Sequence, residues 1–260
     1  MEITSNKNPK IREVLHLREK KERDETGLFL IEGYRELSRA VLGNVQFVSF
    51  FYARDLFLGE NEDALLEKIK APHYSLPKEL FEKISYRDRP DGLLAVARQM
   101  NKTLLDLPKK ENSFLLIAEA IEKPGNLGTI LRSSDGVGVD AVIVVDRCTD
   151  IYNPNVVRAS VGTLFTIPVI EARGEEVLSY LKKEKIRLVA SSPTATTVFT
   201  SSSLQGPIAI AVGSEQLGLS PRWMKEADLL VSIPMKGVAD SLNVGAATTL
   251  LLYEALRQRG

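Results

Sequence analysis

The chain has 260 residues, enough for one large domain or two of ordinary size. Its 34 basic and 34 acidic residues give a formal net charge of zero, so any nucleic-acid site must be a local basic patch. The single cysteine excludes an intramolecular disulfide, and together with only two histidines it argues against a zinc site. No apolar run approaches the roughly 20 residues that span a bilayer. The polar N-terminus lacks an apolar signal region, so we expect a cytoplasmic protein. From the cysteine and histidine counts we expect no bound metal.

The first hundred residues predict a small α/β unit. Apolar positions among many charges indicate an exposed amphipathic helix over residues 10–26. Further predicted elements are strands at 28–31, 45–52 and 92–97 and helices at 34–42 and 62–70. A polar stretch then interrupts the periodicity, which divides the chain into predicted domains of residues 1–105 and 112–260.

Strand and helix alternate more regularly in the second domain. Predicted strands lie at 114–118, 141–145, 167–170, 187–190, 207–212 and 229–233, and predicted helices at 126–136, 153–164, 174–184, 220–227 and 242–258. Continuous apolar strands such as AVIVV and IAIAV are typical of a parallel sheet that is buried on both faces. The pattern predicts a doubly wound α/β domain, in which ligands bind beyond the carboxyl ends of the strands.

Polar loops follow two of these strands. In PGNLGTILRSS, Asn126 is placed to cap a helix, and Arg132 in that helix could reach a bound anion. In GSEQLGLSP, Gly213 would let a ligand approach the backbone, and Glu215 puts a carboxylate at the strand end. Taken singly, each loop also fits an ordinary capped helix or a surface turn.

A third loop leads into the last predicted helix through Ser241 and Asn243, and GAATT places small residues on that helix. Small helical residues permit close packing and do not by themselves indicate function. Conventional motifs are missing: DGVGVD precedes a strand and lacks the third glycine of a dinucleotide fingerprint, and there is neither a Walker lysine motif nor a G-x-S-x-G elbow. A Rossmann dehydrogenase is therefore disfavoured.

The amino-acid sequences of the three loops, and their order along the chain, resemble the motifs of a known protein family. PGNLGTILRSSDGVGVDAVIVV, AVGSEQLGLSP and SIPMKGVADSLNVGAATTLLLYEALRQR resemble, in order, the three motifs of the SpoU/TrmH family of SPOUT RNA 2′-O-ribose methyltransferases. The segment SNKNPKIREVLHLREKKERDETGLFLIEGYRE is similar to the substrate-binding extension of family members. One departure is Lys123, where many relatives have Asn or Asp before the proline.

The resemblance implies an α/β fold: a C-terminal SPOUT domain with a parallel sheet and a deep trefoil knot, plus a smaller N-terminal ribosomal-protein-like RNA-binding domain. It also implies S-adenosylmethionine (AdoMet) as cofactor, a homodimer through the knotted domain, and RNA as substrate. Ribosomal RNA of the large subunit is favoured, and a tRNA target or a non-catalytic RNA-binding assembly factor on the same fold are the alternatives.

The resemblance also assigns residues to three roles. The catalytic set comprises Asn126, Arg132, Glu215, Ser241 and Asn243. The cofactor set comprises Ala190, Ser191, Gly213, Ile233, Pro234, Met235 and Leu242. The RNA-binding set is the basic run of Lys7, Lys10, Arg12, Arg18, Lys20, Lys21 and Arg23.

Two chemical points qualify these roles. A guanidinium stays protonated in proteins, so we expect Arg132 to bind a phosphate and polarise the ribose hydroxyl, with the proton accepted elsewhere. Glutamates interleave with the N-terminal basic run, so an ordinary solvated helix competes with an RNA contact there.

Overall fold

The computed structural model describes residues 1–107 and 109–260; Pro108, in the predicted interdomain stretch, lies outside them. The described chain forms two compact units. The first comprises Met1–Met100 and Asp150–Thr166, and the second comprises Asn101–Thr149 and Ile167–Gly260. The segment Asp150–Thr166, which the sequence analysis placed in the second domain, therefore belongs to the first unit.

The first unit is built on a four-stranded sheet. Its elements are α1 (Pro9–His16), α2 (Lys20–Thr26), β1 (Leu28–Glu32), α3 (Tyr34–Leu42), β2 (Phe47–Tyr52), α4 (Glu62–Lys68), β3 (His73–Ser75), α5 (Lys78–Ile84), β4 (Leu93–Arg98) and α7 (Pro154–Ala159). The strand order is β1-β4-β2-β3; β4 pairs antiparallel with β1 and β2, and β3 joins β2 in parallel.

The single helix predicted over residues 10–26 is wrong, because the chain breaks between α1 and α2. The last carbonyls of a helix need partners outside its own ladder. Here the carbonyls of Glu13, Leu15 and His16 accept from the backbone N–H groups of Leu17, Arg18 and Glu19. Just beyond the helix end, Arg23 Nη1 donates to the carbonyls of Leu17 and Arg18, over 2.8 and 2.7 Å. The predictions also missed β3 and α5, which are too short to show a clear period.

The second unit is built on a six-stranded sheet. Its elements are β5 (Phe114–Glu119), α6 (Pro124–Val137), β6 (Ala141–Val145), β7 (Val169–Ala172), α8 (Gly174–Glu184), β8 (Arg187–Ser191), β9 (Ile208–Val212), α9 (Pro221–Glu226), β10 (Leu229–Val231) and α10 (Val244–Arg259). The order is β10-β8-β9-β5-β6-β7, and every pairing is parallel.

This parallel sheet confirms the predicted fold class. Every residue of β5, β6 and β9 is buried, as their continuous apolar sequences predict. A core around Trp223 packs against one face of the sheet, and α10 packs against α6. The trefoil knot implied by the resemblance stays a prediction.

Candidate functional site

A cavity of about 430 Å³ lies where the chain leaves β8, β9 and β10 and enters α10. This edge holds the carboxyl ends of parallel strands, where ligands bind in open α/β sheets. Its lining comprises Ser191, Ser192, Pro193, Thr194, Val212, Gly213, Ser214, Glu215, Gln216, Leu217, Gly218, Leu219, Met224, Ile233, Met235, Asp240, Ser241, Leu242, Val244 and Ala247.

Five of the seven predicted cofactor residues line this cavity: Ser191, Gly213, Ile233, Met235 and Leu242. Two do not. Ala190 is fully buried inside the sheet, paired with Ala211 of β9, and Pro234 is exposed between two lining residues. Lining residues just beyond the strands, such as Ser192, were not predicted; their signal in the sequence is a position directly after a buried strand.

One wall of the cavity is the loop of residues 213–218, which closes on itself. Ser214 N donates to Gly218 O over 3.1 Å, and Gly218 N donates to Ser214 O over 3.0 Å. A Cβ on Gly213 would lie 2.1 Å from the carbonyl carbon of Gly218 and 2.2 Å from Leu219 N. Gly213 is therefore needed because the backbone of its own loop approaches closely, which is a different reason from the predicted approach of a ligand.

The first two motif loops meet at an ion pair. Lys123 Nζ lies 2.6 Å from Glu215 Oε2, with the lysine side chain 69% exposed and the glutamate 22% exposed. This hydrogen bond, together with the carboxylate charge, raises the pKa of Lys123. The other carboxylate oxygen, Glu215 Oε1, is buried and has no hydrogen-bond partner within the described part of the chain.

The first and third motif loops meet through two amides. Asn243 Nδ2 donates to Asn126 Oδ1 over 3.0 Å. Asn243 Oδ1 also accepts from Gly245 N over 2.9 Å, which makes Asn243 the N-cap of α10. The prediction that Asn126 caps α6 is wrong, because that helix begins at Pro124 and its N-cap residue is Lys123. Asn126 Nδ2 is buried and unpaired within residues 1–107 and 109–260.

Close packing of α6 on α10 fixes this amide pair. Gly245 is buried, and a Cβ there would lie 2.9 Å from Thr129 Cγ2. Ser133 Oγ and Thr249 Oγ1 are 2.6 Å apart across the same contact. The small residues of GAATT therefore let two motif helices approach each other.

The remaining catalytic candidates are exposed. Arg132 lies on α6 outside the cavity lining, and its guanidinium makes no hydrogen bond or ion pair with any described residue. Ser241 lies in the cavity lining just before α10. The structure therefore links Asn126 to Asn243, places Glu215 and Ser241 in the cavity wall, and leaves Arg132 free to bind an external group.

The predicted RNA-binding run in the first unit is largely engaged in other contacts. Three of its lysines pair with carboxylates of their own helices: Lys10 with Glu13, Lys20 with Asp24 and Lys21 with Glu25. Lys7 and Arg12 are exposed. An RNA contact by these five residues stays a prediction.

Two arginines of that run support the fold. Arg23 is 1% exposed, and its Nη2 lies 2.7 Å from Asp150 Oδ2. The prediction that Arg23 contacts RNA is therefore wrong, since its guanidinium is buried and fully engaged. Arg18 Nη2 donates to Ser85 O over 2.8 Å, and its Nε is buried.

Among residues 1–107 and 109–260, no group of three or more His, Cys, Asp or Glu side chains is arranged to hold a metal ion. Over the same residues, no helix has both the length and the apolar character needed to cross a membrane.

Comparison with known proteins gives two family matches. Residues 113–253 match the SpoU rRNA Methylase family, and residues 8–95 match the MRM3-like substrate binding domain. A 23S rRNA (uridine(2479)-2′-O)-methyltransferase of Streptomyces viridochromogenes is 30% identical over 244 residues, covering 91% of this chain and 85% of the relative.

Solved structures are similar over almost the whole chain. A crystal structure of an RNA 2′-O ribose methyltransferase is 40% identical, covers 99% of each chain and superposes with a TM-score of 0.87. The AdoMet-bound rRNA methyltransferase from Sinorhizobium meliloti is 28% identical, covers 99% of this chain and 97% of its own, and superposes with a TM-score of 0.91.

Proposed function

Because this chain belongs to the SpoU rRNA methylase family, as its three motifs indicated, we propose that it methylates a ribose 2′-hydroxyl of large-subunit rRNA with AdoMet as the methyl donor. One observation carries the proposal: all three motif loops converge at the cavity edge, joined by the Lys123–Glu215 and Asn126–Asn243 contacts. Since rRNA is the proposed substrate, we place the activity in the cytoplasm.

The cavity fits AdoMet in size and chemistry. Its volume lies in the range of small-molecule pockets, about 300–1,000 Å³. Leu219, Ile233 and Leu242 offer apolar surface to an adenine ring, and the main chain of residues 213–218 offers peptide groups at its edge. The unpaired Glu215 Oε1 is an acceptor for a ligand hydroxyl or ammonium group. When bound, AdoMet supplies a methyl group activated by a sulfonium.

In this proposal Arg132 contacts the RNA substrate. Its exposed guanidinium, without a partner among the described residues, can hold a phosphate next to the target ribose and polarise the 2′-hydroxyl. Alignment of the hydroxyl with the methyl group supplies most of the rate, because well-oriented reactants gain roughly 7–11 kcal/mol. The hydroxyl proton passes to water or to a shared acceptor, since a protonated guanidinium accepts none.

The amides and hydroxyl near Arg132 position the nucleotide. Asn126 is held by Asn243, so its buried Nδ2 is presented as a donor at a fixed place. Ser241 in the cavity wall is close to the start of α10 and can orient the ribose. These roles rest on the motif positions and on the contacts above.

The direct test is incubation of rRNA and tRNA with isotopically labelled AdoMet, followed by mass spectrometry of the nucleosides. A labelled 2′-O-methylnucleoside from rRNA supports the proposal, and one from tRNA alone reassigns the substrate. A labelled base overturns ribose methylation. Bound AdoMet without label in any RNA favours the non-catalytic assembly factor.

Variants at Arg132 test its role. We expect Arg132→Ala to abolish turnover while AdoMet binding, measured by calorimetry, stays unchanged. Arg132→Lys keeps the charge but loses the planar fork, so we expect partial activity. Near-normal turnover by both variants would contradict the assignment.

We also propose that the second unit forms a homodimer through α10. Leu250 and Tyr253, three residues apart on one helix face, are 43% and 50% exposed. Burial of exposed apolar side chains favours association. Sedimentation should give a dimer for the natural chain and a monomer for Leu250→Glu; an unchanged dimer in that variant would exclude this face.

A further inference from the structure

Two half-exposed tyrosines and three exposed arginines occupy neighbouring segments of the first unit. The tyrosine–arginine surface is defined as Tyr34, Arg35, Tyr86, Arg89 and Arg158. Tyr34 and Tyr86 are 37% and 38% exposed. The three arginines are exposed, and their guanidinium groups make no hydrogen bond or ion pair to any residue that the structure describes.

Contacts among the supporting elements hold these residues together. Tyr34 N, in the first turn of α3, donates to Asp91 Oδ2 over 2.8 Å, which ties that turn to the loop of residues 85–91. In α7, Asn155 Nδ2 donates to the phenolic oxygen of Tyr86 over 3.2 Å. Arg158 lies with Tyr86 on the wall of one small cleft.

The nearby buried carboxylates have ion-pair or hydrogen-bond partners. Arg87 Nη2 lies 2.8 Å from Glu36 Oε2, and Arg87 Nη1 lies 4.0 Å from Asp91 Oδ2. Glu32 accepts from Ser85 Oγ and, over 2.8 Å, from the backbone N–H of Tyr86, and burial raises the pKa of this carboxyl. Asp88 is the exposed carboxylate within the 85–91 loop. The three exposed arginines, Arg35, Arg89 and Arg158, outnumber this one carboxylate, so the net exposed charge of these groups is positive.

Two arginines of the N-terminal basic run, the partly buried Arg18 and the buried Arg23, contact the segments that carry this surface. Arg18 Cζ lies 5.9 Å from the centre of the Tyr86 ring, and its Nη2 bonds to the main chain of the same loop. Arg23 holds Asp150, whose Oδ1 accepts from Tyr152 N at the start of the segment that carries Asn155 and Arg158.

We propose that the tyrosine–arginine surface binds a single-stranded segment of the RNA substrate, with an unpaired base stacked on Tyr86 and phosphates on Arg89 and Arg158. Stacking on aromatic rings is how proteins hold splayed bases, and unpaired arginines release counterions when they meet phosphates. This inference rests on the proposed function for the identity of the RNA.

The test measures affinity for a single-stranded oligoribonucleotide and for the same strand in a duplex. We expect Tyr86→Ala to weaken single-strand binding about 5- to 150-fold, the effect of losing one stacked base, whereas Tyr86→Phe, which keeps the ring, binds nearly normally. Arg89→Ala and Arg158→Ala should each lower the salt-dependence slope by about 0.7. Lys68→Ala with Lys70→Ala, two exposed lysines of the same unit outside the predicted RNA-binding run, is the matched control, and we expect it to have little effect.

Several outcomes overturn the inference. An affinity of the Tyr86→Ala variant within twofold of the natural chain would do so, as would a larger loss in the Lys68→Ala, Lys70→Ala control or a preference for the duplex. Thermal unfolding and AdoMet binding of each variant separate loss of contact from loss of fold, and Arg158→Ala keeps the test open if Tyr86→Ala unfolds.

The inference and the proposed function fail in different ways. If the natural chain binds single-stranded RNA through Tyr86 but labels no RNA, the methylation proposal fails and the surface stands. If it methylates rRNA and the Tyr86→Ala variant keeps its KM for RNA, the surface fails and the methylation stands. A raised KM with unchanged kcat at saturating RNA is the expected result.

Discussion

Lys123 Nζ and Glu215 Oε2 lie 2.6 Å apart, although the two residues are separated by 92 positions in the sequence. Lys123 directly precedes the proline of the first motif, and Glu215 is the second-motif glutamate in the cavity wall. Lys123 therefore places a donor on one oxygen of Glu215, while the buried Oε1 has no hydrogen-bond partner among the described residues.

Replacing Lys123 with Met should lower kcat/KM by about fivefold or less, because an exposed ion pair contributes little and the effect acts through the placement of Glu215. Lys123→Arg should restore most of the activity. Steady-state kinetics with AdoMet varied will measure both. Equal activity in the Met and Arg variants would show that the pair does not position Glu215.

Gly213→Ala should weaken AdoMet binding about fivefold or more, because overpacking against a fixed backbone costs about 1–3 kcal/mol. The added Cβ would lie 2.1–2.2 Å from main-chain atoms of the 213–218 loop. Calorimetry with AdoMet measures the loss. Gly125→Ala is the matched control, since its Cβ would meet nothing within 4 Å; equal affinities in the two variants would contradict the steric argument.

Arg23→Met should lower the free energy of unfolding of the first unit by about 3–5 kcal/mol, because it leaves the carboxylate of Asp150 buried without its partner. Arg23→Met combined with Asp150→Leu should recover part of that loss. Urea unfolding followed by circular dichroism measures both. Lys20→Met, which removes an exposed ion pair, is the comparison and should cost at most about 1 kcal/mol.

Glu254 should make the second unit sensitive to acid. Its carboxylate accepts from Arg257 and Gln258, and these hydrogen bonds lower its pKa from the ordinary value of 4.5 to about 2. Because the folded pKa is depressed, the stabilisation is complete above pH 4.5 and is lost as the pH falls toward 2.

The Glu254→Gln variant should therefore unfold at lower urea concentration than the natural chain at pH 7, and the difference should shrink by pH 3. Glu111→Gln, an exposed site in the same unit, controls for the loss of one negative charge. A difference that is constant from pH 7 to pH 3 would contradict the pKa assignment.

Local sequence patterns predicted much of the fold. The strands β5, β6 and β9 are buried on both faces, so their continuous apolar sequences indicated a parallel sheet without further information. Boundaries were less well determined. The first motif helix begins at Pro124, two residues before the predicted start, because proline fits the first helical position and leaves Asn126 inside the helix.

The sequence by itself determined the alternation of strand and helix, the loops that carry chemistry and the motif wording, because these depend on residues close together in the chain. Tertiary structure decided the rest. It joined Asn126 to Asn243 across 117 residues, and it buried Arg23 against Asp150 across 127. A charge pattern cannot distinguish a solvated arginine from a buried one, since the partner that compensates desolvation comes from a distant segment.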